Sequence, residues 1–165
     1  MKPRYGILST SSIAPRFIAA LREADAGQVV ALSSRSPEKA REKAALWQIP
    51  RSYGSHKELL EDPDVDIVYI SNVNTEHYPW AMAALEHGKH VVCEKPCTTT
   101  QAQTRALFAL AAEKGLFLME AEKMPHLPPF FAPDTTLSQR NPCKILHVIC
   151  NIYNRLYSHI SLEWT

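Results

Sequence analysis

Short apolar runs alternate with amphipathic stretches along the first 120 or so residues. Tyr5 to Leu8 is a compact apolar run, and after it Ile13, Phe17, Ala20, Leu21 and Ala24 recur at helical spacing. Gln28 to Leu32 predicts a second strand, and Pro37 to Trp47 a helix with proline in its first turn. Asp66 to Ser71 predicts a further clear strand, followed by a helix over about Tyr78 to His87. Lys89 to Glu94, a helix from about Thr100 to Lys114, and Leu116 to Met119 complete the series. A segment near Tyr53 reads as an edge strand, with a brief helix around Lys57 to Leu60 after it.

Gly27, Gly88 and Gly115 each follow a helical stretch and precede a strand, where a left-handed helix cap is expected. Strand, helix, glycine, strand, repeated, is the pattern of βαβ units. The expectation is a doubly wound α/β domain with a parallel, Rossmann-like sheet. In such sheets ligands bind beyond the carboxyl ends of the strands. The residues after each expected strand are polar there: Ser9-Thr10-Ser11-Ser12, Ser33-Ser34-Arg35-Ser36, Asn72-Val73-Asn74-Thr75-Glu76-His77 and Glu94-Lys95-Pro96.

Three of these loops carry candidate chemistry. The loop from Gly6 through Ser9, Thr10, Ser11 and Ser12 to Ile13 stands where a dinucleotide phosphate meets a helix N-terminus. Serine occupies both positions where glycine is usual, and the alternative reading is a plain serine cap for the helix. At the end of the second strand, an NAD site would carry Asp or Glu for the ribose hydroxyls. Ser34 and Arg35 stand there instead, and guanidinium pairs with phosphate in a two-pronged geometry, so NADP is preferred over NAD. An exposed arginine on a solvated loop is the alternative. Glu94-Lys95-Pro96 reads either as a surface turn with an ion pair or as a reactive lysine at the rim of a cofactor cleft.

Composition narrows the setting. The chain has 165 residues, is 45% hydrophobic and 21% charged, and carries a net charge of +1. That balance gives no support to a nucleic-acid partner. No apolar run approaches the length of a membrane span, and MKPRYGILSTSS lacks the apolar core of a secretory signal, so a cytoplasmic setting is expected. Cys93, Cys97, Cys143 and Cys150 show no metal-ligand spacing and are expected as free thiols with no metal.

With Glu94-Lys95-Pro96 after a parallel strand, the chain resembles the glucose–fructose oxidoreductase/inositol dehydrogenase (Gfo/Idh/MocA) family, in its dihydrodiol and xylose dehydrogenase branch. The resemblance covers residues 4 to about 124 and rests on YGILSTSSIAPRF, VVALSSRSPEKA, NTEHYPWAMAALEHGKHVVCEKPCTTT and LFLMEAEK, in that order. It implies an NAD(P)-dependent oxidoreductase that moves hydride to or from a sugar, polyol or dihydrodiol-like alcohol. It implies Lys95 near the nicotinamide and substrate, often with a cis peptide before Pro96. The family's Asn-x-x-His pattern falls on Asn74 and His77, beside Asn72, with Val73 where proline is usual. Glu94, Lys95 and Pro96 complete the expected cofactor set, with Lys95 catalytic.

After Lys123 the pattern changes: Pro125, Pro128, Pro129 and Pro133 fall within nine residues, and no glycine follows Gly115. The expected organisation is a cofactor domain over residues 1–123 and a divergent, Pro-rich tail over 124–165, where the family has a larger substrate domain. A truncated or frameshifted gene would produce such a tail, and the alternative function is then a non-catalytic NAD(P)-binding module. Oligomeric state is open, because the family associates through its second domain.

Overall fold

The computed structural model describes residues 2–121. The expected boundary at 123, the tail, and Cys143 and Cys150 lie outside the described residues. Among the described residues eleven elements alternate: β1 (Arg4–Leu8), α1 (Ala14–Glu23), β2 (Gln28–Ser33), α2 (Pro37–Leu46), β3 (Arg51–Tyr53), α3 (His56–Glu61), β4 (Ile67–Ile70), α4 (Asn74–Glu86), β5 (His90–Glu94), α5 (Gln101–Lys114) and β6 (Leu118–Ala121). The six strands form one sheet in the order β3-β2-β1-β4-β5-β6, and every neighbouring pair is parallel. This is the doubly wound order expected of a Rossmann fold, with its switch point between β1 and β4.

The period of two in the strands divides the core between two faces. Tyr5 and Ile7 of β1, Ile67 and Tyr69 of β4 and Val92 of β5 pack with Phe17 and Leu21 of α1. Leu8, Val68, Ile70, Val91 and Cys93 point the other way, against Leu59 and Leu60 of α3, Leu85 of α4 and Leu107 of α5. Phe17 stacks flat on Tyr69 at 3.8 Å between centroids, which fixes α1 over the middle of the sheet.

Three expectations shift. Helix α4 begins at Asn74, not near Tyr78, and carries Pro79 inside it. Burial of His77 between the ends of β4 and β5 favours the extra turn, at the cost of the one backbone bond that Pro79, the sixth helical residue, cannot donate to the Thr75 carbonyl. Strand β6 begins two residues later than expected, because the chain leaves the left-handed cap at Gly115 (φ 63°) through Leu116 and Phe117 before it pairs with β5. Gly88 is also left-handed (φ 74°), but Gly27 is not a cap; Asp25 takes the positive φ instead. Gly27 is needed for close approach, since a Cβ there would lie 2.5 Å from the Tyr5 ring.

Candidate active site

A cavity of about 420 Å³ opens at the carboxyl ends of β1, β2 and β4, where the fold predicts a ligand. Ser9, Thr10 and Ser11 form its floor beside α1, and Ser34, Arg35, Ser36 and Lys39 form one wall. Ser71, Asn72, Val73 and Glu76 form the opposite wall, with His56 below.

The floor is preset for an anion. Helix α1 starts at Ala14 with Ile13 as its N-cap residue and no side-chain cap. The serine-cap alternative is therefore not what the chain adopts. Among the described residues, the backbone N–H groups of Thr10, Ser11, Ser12 and Ile13 have no acceptor, so they remain available at the positive end of the helix. The Ser11 hydroxyl donates to that of Ser71 at 2.8 Å, tying the loop to the end of β4. Ser9 lies at φ 122°, a conformation suited to glycine. A Ser9→Gly variant is expected to gain about 1 kcal/mol in unfolding free energy and roughly 3–4 °C in Tm. A lower Tm in a thermal melt would contradict the strain at Ser9.

The β2 wall carries the positive charge. Arg35 extends into solvent and meets Glu76 across the cleft, Nη1 to Oε1 at 3.1 Å. Lys39 lies in the first turn of α2, which Ser36 caps by accepting from the Lys39 N–H at 3.2 Å. Lys39, His56 and Ser71 are site residues that sequence reasoning did not single out, and Ser36 and Glu76 stood only among the polar residues that follow the strands. The proline at the start of α2 was a signal for Lys39, because it marks the first helical turn, directly after the β2 loop. Burial pushes the His56 imidazole down from its usual range, so His56 is neutral near pH 7. Its Nδ1 lies 2.8 Å from the Ser33 hydroxyl, and its ring meets Trp80 edge-on.

Gly6 and Ser12 do not line the cavity, nor do Ile13, Asn74, His77, Glu94, Lys95 and Pro96. Gly6 is inside β1, and a Cβ there would come within 2.9 Å of Leu59 and Val65; its role is packing. Ser12 and Asn74 are exposed, and Asn74 opens α4. His77 is buried behind the wall, with Nδ1 2.8 Å from the Pro96 carbonyl and Nε2 2.9 Å from the Asn72 carbonyl. The ring thus bridges the ends of β4 and β5. His77→Ala is expected to lower unfolding free energy by about 3 kcal/mol, through a cavity and two carbonyls left without the ring. A loss under 1 kcal/mol on urea titration would remove the bridge from the account (roughly the worth of one ordinary hydrogen bond).

The turn after β5 is pinned at three points. Glu94 accepts from the Tyr69 hydroxyl at 2.7 Å, Pro96 faces His77, and the Cys97 N–H donates to Glu120 of β6 at 2.8 Å. The Lys95–Pro96 peptide is cis. Lys95 is exposed and, among the described residues, has neither ion pair nor hydrogen bond. The surface-ion-pair alternative fails, because Glu94 turns inward to Tyr69. Cys93 and Cys97 flank this turn as buried free thiols. Their mutual hydrogen bond and then burial raise Cys93, which keeps it a neutral packing group. Among the described residues, no group of three His, Cys, Asp or Glu side chains forms a metal-ligand cluster. None of the described helices is long and apolar enough to cross a membrane.

Comparison with known proteins decides the family. The profile of an oxidoreductase family with an NAD-binding Rossmann fold, GFO_IDH_MocA, matches residues 3–122. The chain belongs to the Gfo/Idh/MocA oxidoreductase family. A trans-1,2-dihydrobenzene-1,2-diol dehydrogenase from Xenopus laevis is 39% identical over 142 residues, covering 85% of this chain and 43% of the relative. KijD10, a 3-ketoreductase from Actinomadura kijaniata solved with NADP and TDP-benzene, superposes with a TM-score of 0.70 at 36% identity. That match covers 73% of this chain and 37% of KijD10. A biliverdin reductase from Synechocystis, solved with biliverdin and NADP+, superposes at 0.65 with 35% identity over 71% of this chain and 37% of its own. The chain spans less than half the length of the curated relatives it matches.

The Gfo/Idh/MocA assignment makes the described unit an NAD-binding Rossmann domain, and its residues fit such a cofactor. The uncapped α1 terminus suits a pyrophosphate, and the hydroxyls of Ser34 and Ser36 with Arg35 and Lys39 suit a phosphorylated ribose.

Proposed function

We propose that this chain is the cofactor half of an NADP-preferring oxidoreductase acting on CH–OH groups of a sugar, polyol or dihydrodiol-like alcohol. One observation carries the reading: two cations, Arg35 and Lys39, flank the end of β2, where an NAD site would hold a carboxylate. Bound in the cleft, the nicotinamide cofactor would supply or accept the hydride. The chain's own contribution is to bind and position. The free N–H groups of Thr10 to Ile13 would take pyrophosphate oxygens, and Arg35 and Lys39 would take the 2′-phosphate. Lys95, exposed and unpaired on a turn fixed by Tyr69, His77 and Glu120, would hydrogen-bond the reacting oxygen and carry its proton.

The cofactor domain would end near residue 123, just beyond β6 and the end of the family match, with residues 124–165 as a divergent tail. Two neighbouring thiols held free, Cys93 and Cys97, suit a reducing, cytoplasmic compartment. The dihydrodiol dehydrogenase relatives direct the first substrate assay. NADP+ reduction by the full chain is measured against trans-dihydrodiols, xylose and related polyols. Turnover on a member of that panel is expected. Nucleotide binding without turnover on any of them would contradict the enzyme and favour a non-catalytic NAD(P)-binding module.

A further inference from the structure

Glu76 is the one carboxylate among the described residues that line the cavity. It comes from the first turn of α4, opposite the β2 wall where dinucleotide sites ordinarily place their acidic residue. Two contacts hold it. Oε2 accepts from Asn72 Nδ2 at 3.0 Å, and Oε1 meets Arg35 Nη1 at 3.1 Å. Glu38, the other acidic residue near the β2 wall, faces Arg41 and Ser36 and does not line the cavity.

We infer that Glu76 is a cofactor-specificity residue: it acts as a built-in counter-ion for Arg35 and restrains the affinity for a 2′-phosphate, so that NAD remains a competitor of NADP. The inference rests on the reading of Arg35 and Lys39 as the ribose corner. A 2′-phosphate must displace the Glu76 carboxylate from Arg35 and then share a small space with it, like charge against like. A free 2′-hydroxyl brings no charge and can donate to the same carboxylate. Glu76 therefore penalises one nucleotide and not the other. Because Arg35 is 76% exposed, solvent screening keeps the penalty modest.

The test is calorimetric titration of the full chain with 2′,5′-ADP and with 5′-AMP, which differ only in the 2′-phosphate. Wild type, Glu76→Gln, Arg35→Ala and the double variant are compared. Glu76→Ser is carried alongside in case the amide refolds the wall, and circular dichroism verifies each fold. Glu76→Gln and Glu76→Ser are expected to tighten 2′,5′-ADP by about two- to fivefold at low salt, with no gain for 5′-AMP. The gain should vanish on the Arg35→Ala background and shrink as salt rises. Unchanged or weaker binding of 2′,5′-ADP overturns the inference, as does equal tightening of both nucleotides or a gain that survives Arg35→Ala. A different result marks failure of the underlying reading: wild type then binds the two nucleotides equally, or neither, and Arg35→Ala changes nothing. In that case the role of Glu76 falls with it.

Discussion

Lys95→Ala is expected to lower turnover by about 10²–10⁴-fold, the usual worth of a positioned proton-transfer group. Nucleotide affinity should change little, because Lys95 makes no bond to any residue lining the cleft. The physical case rests on what surrounds the lysine. Glu94 is held by Tyr69, Pro96 faces His77, and Cys97 is held by Glu120, so the backbone on both sides is fixed while the Lys95 head group remains unpaired. A fixed base with a free head group is what proton transfer needs, since a lysine already engaged in an ion pair would have to break it first. Steady-state kinetics with NADP+ and an accepted alcohol, together with nucleotide titration, separate the two effects. Turnover unchanged by Lys95→Ala would remove that residue from the chemistry.

Removal of both cations, Arg35→Ala with Lys39→Ala, is expected to weaken NADPH by about 10- to 100-fold, one or two charge-assisted hydrogen bonds. NADH should be nearly unaffected. Arg35 alone is expected to account for the larger share, because its planar guanidinium can hold two phosphate oxygens at once, whereas Lys39 offers a point charge. Loss of NADH and NADPH binding in parallel would mean that the pair supports the wall without reading the 2′-phosphate.

The fold was legible because its two periods rarely conflict. β1, β4 and β5 are short and apolar, α1 is strongly amphipathic, and Gly88 and Gly115 mark helix ends with positive φ. Gly27 shows the limit of that reading: its sequence context matches the other two, yet it serves contact with Tyr5, which only tertiary structure reveals. The start of α4 was displaced for a similar reason, since the burial of His77 that favours an earlier start is a tertiary feature.

The site was half legible. Residues in loops directly after strands, such as Ser9, Ser34, Arg35 and Asn72, face the cleft as the topology requires. Lys39, His56 and Glu76 reach it from helix first turns, and their contribution depends on helix direction, which strand order alone does not fix. His77 was expected beside the cofactor and instead ties Asn72 to the Lys95 turn from behind.

The central claim is that the cleft between Ser9–Ile13 and Arg35–Lys39 holds a nicotinamide dinucleotide and favours its 2′-phosphorylated form. Calorimetric titration of the 165-residue chain with NADPH and, separately, with NADH tests it most directly. The account predicts saturable binding of both, with NADPH tighter. Binding of neither, or NADH bound more tightly than NADPH, would contradict it.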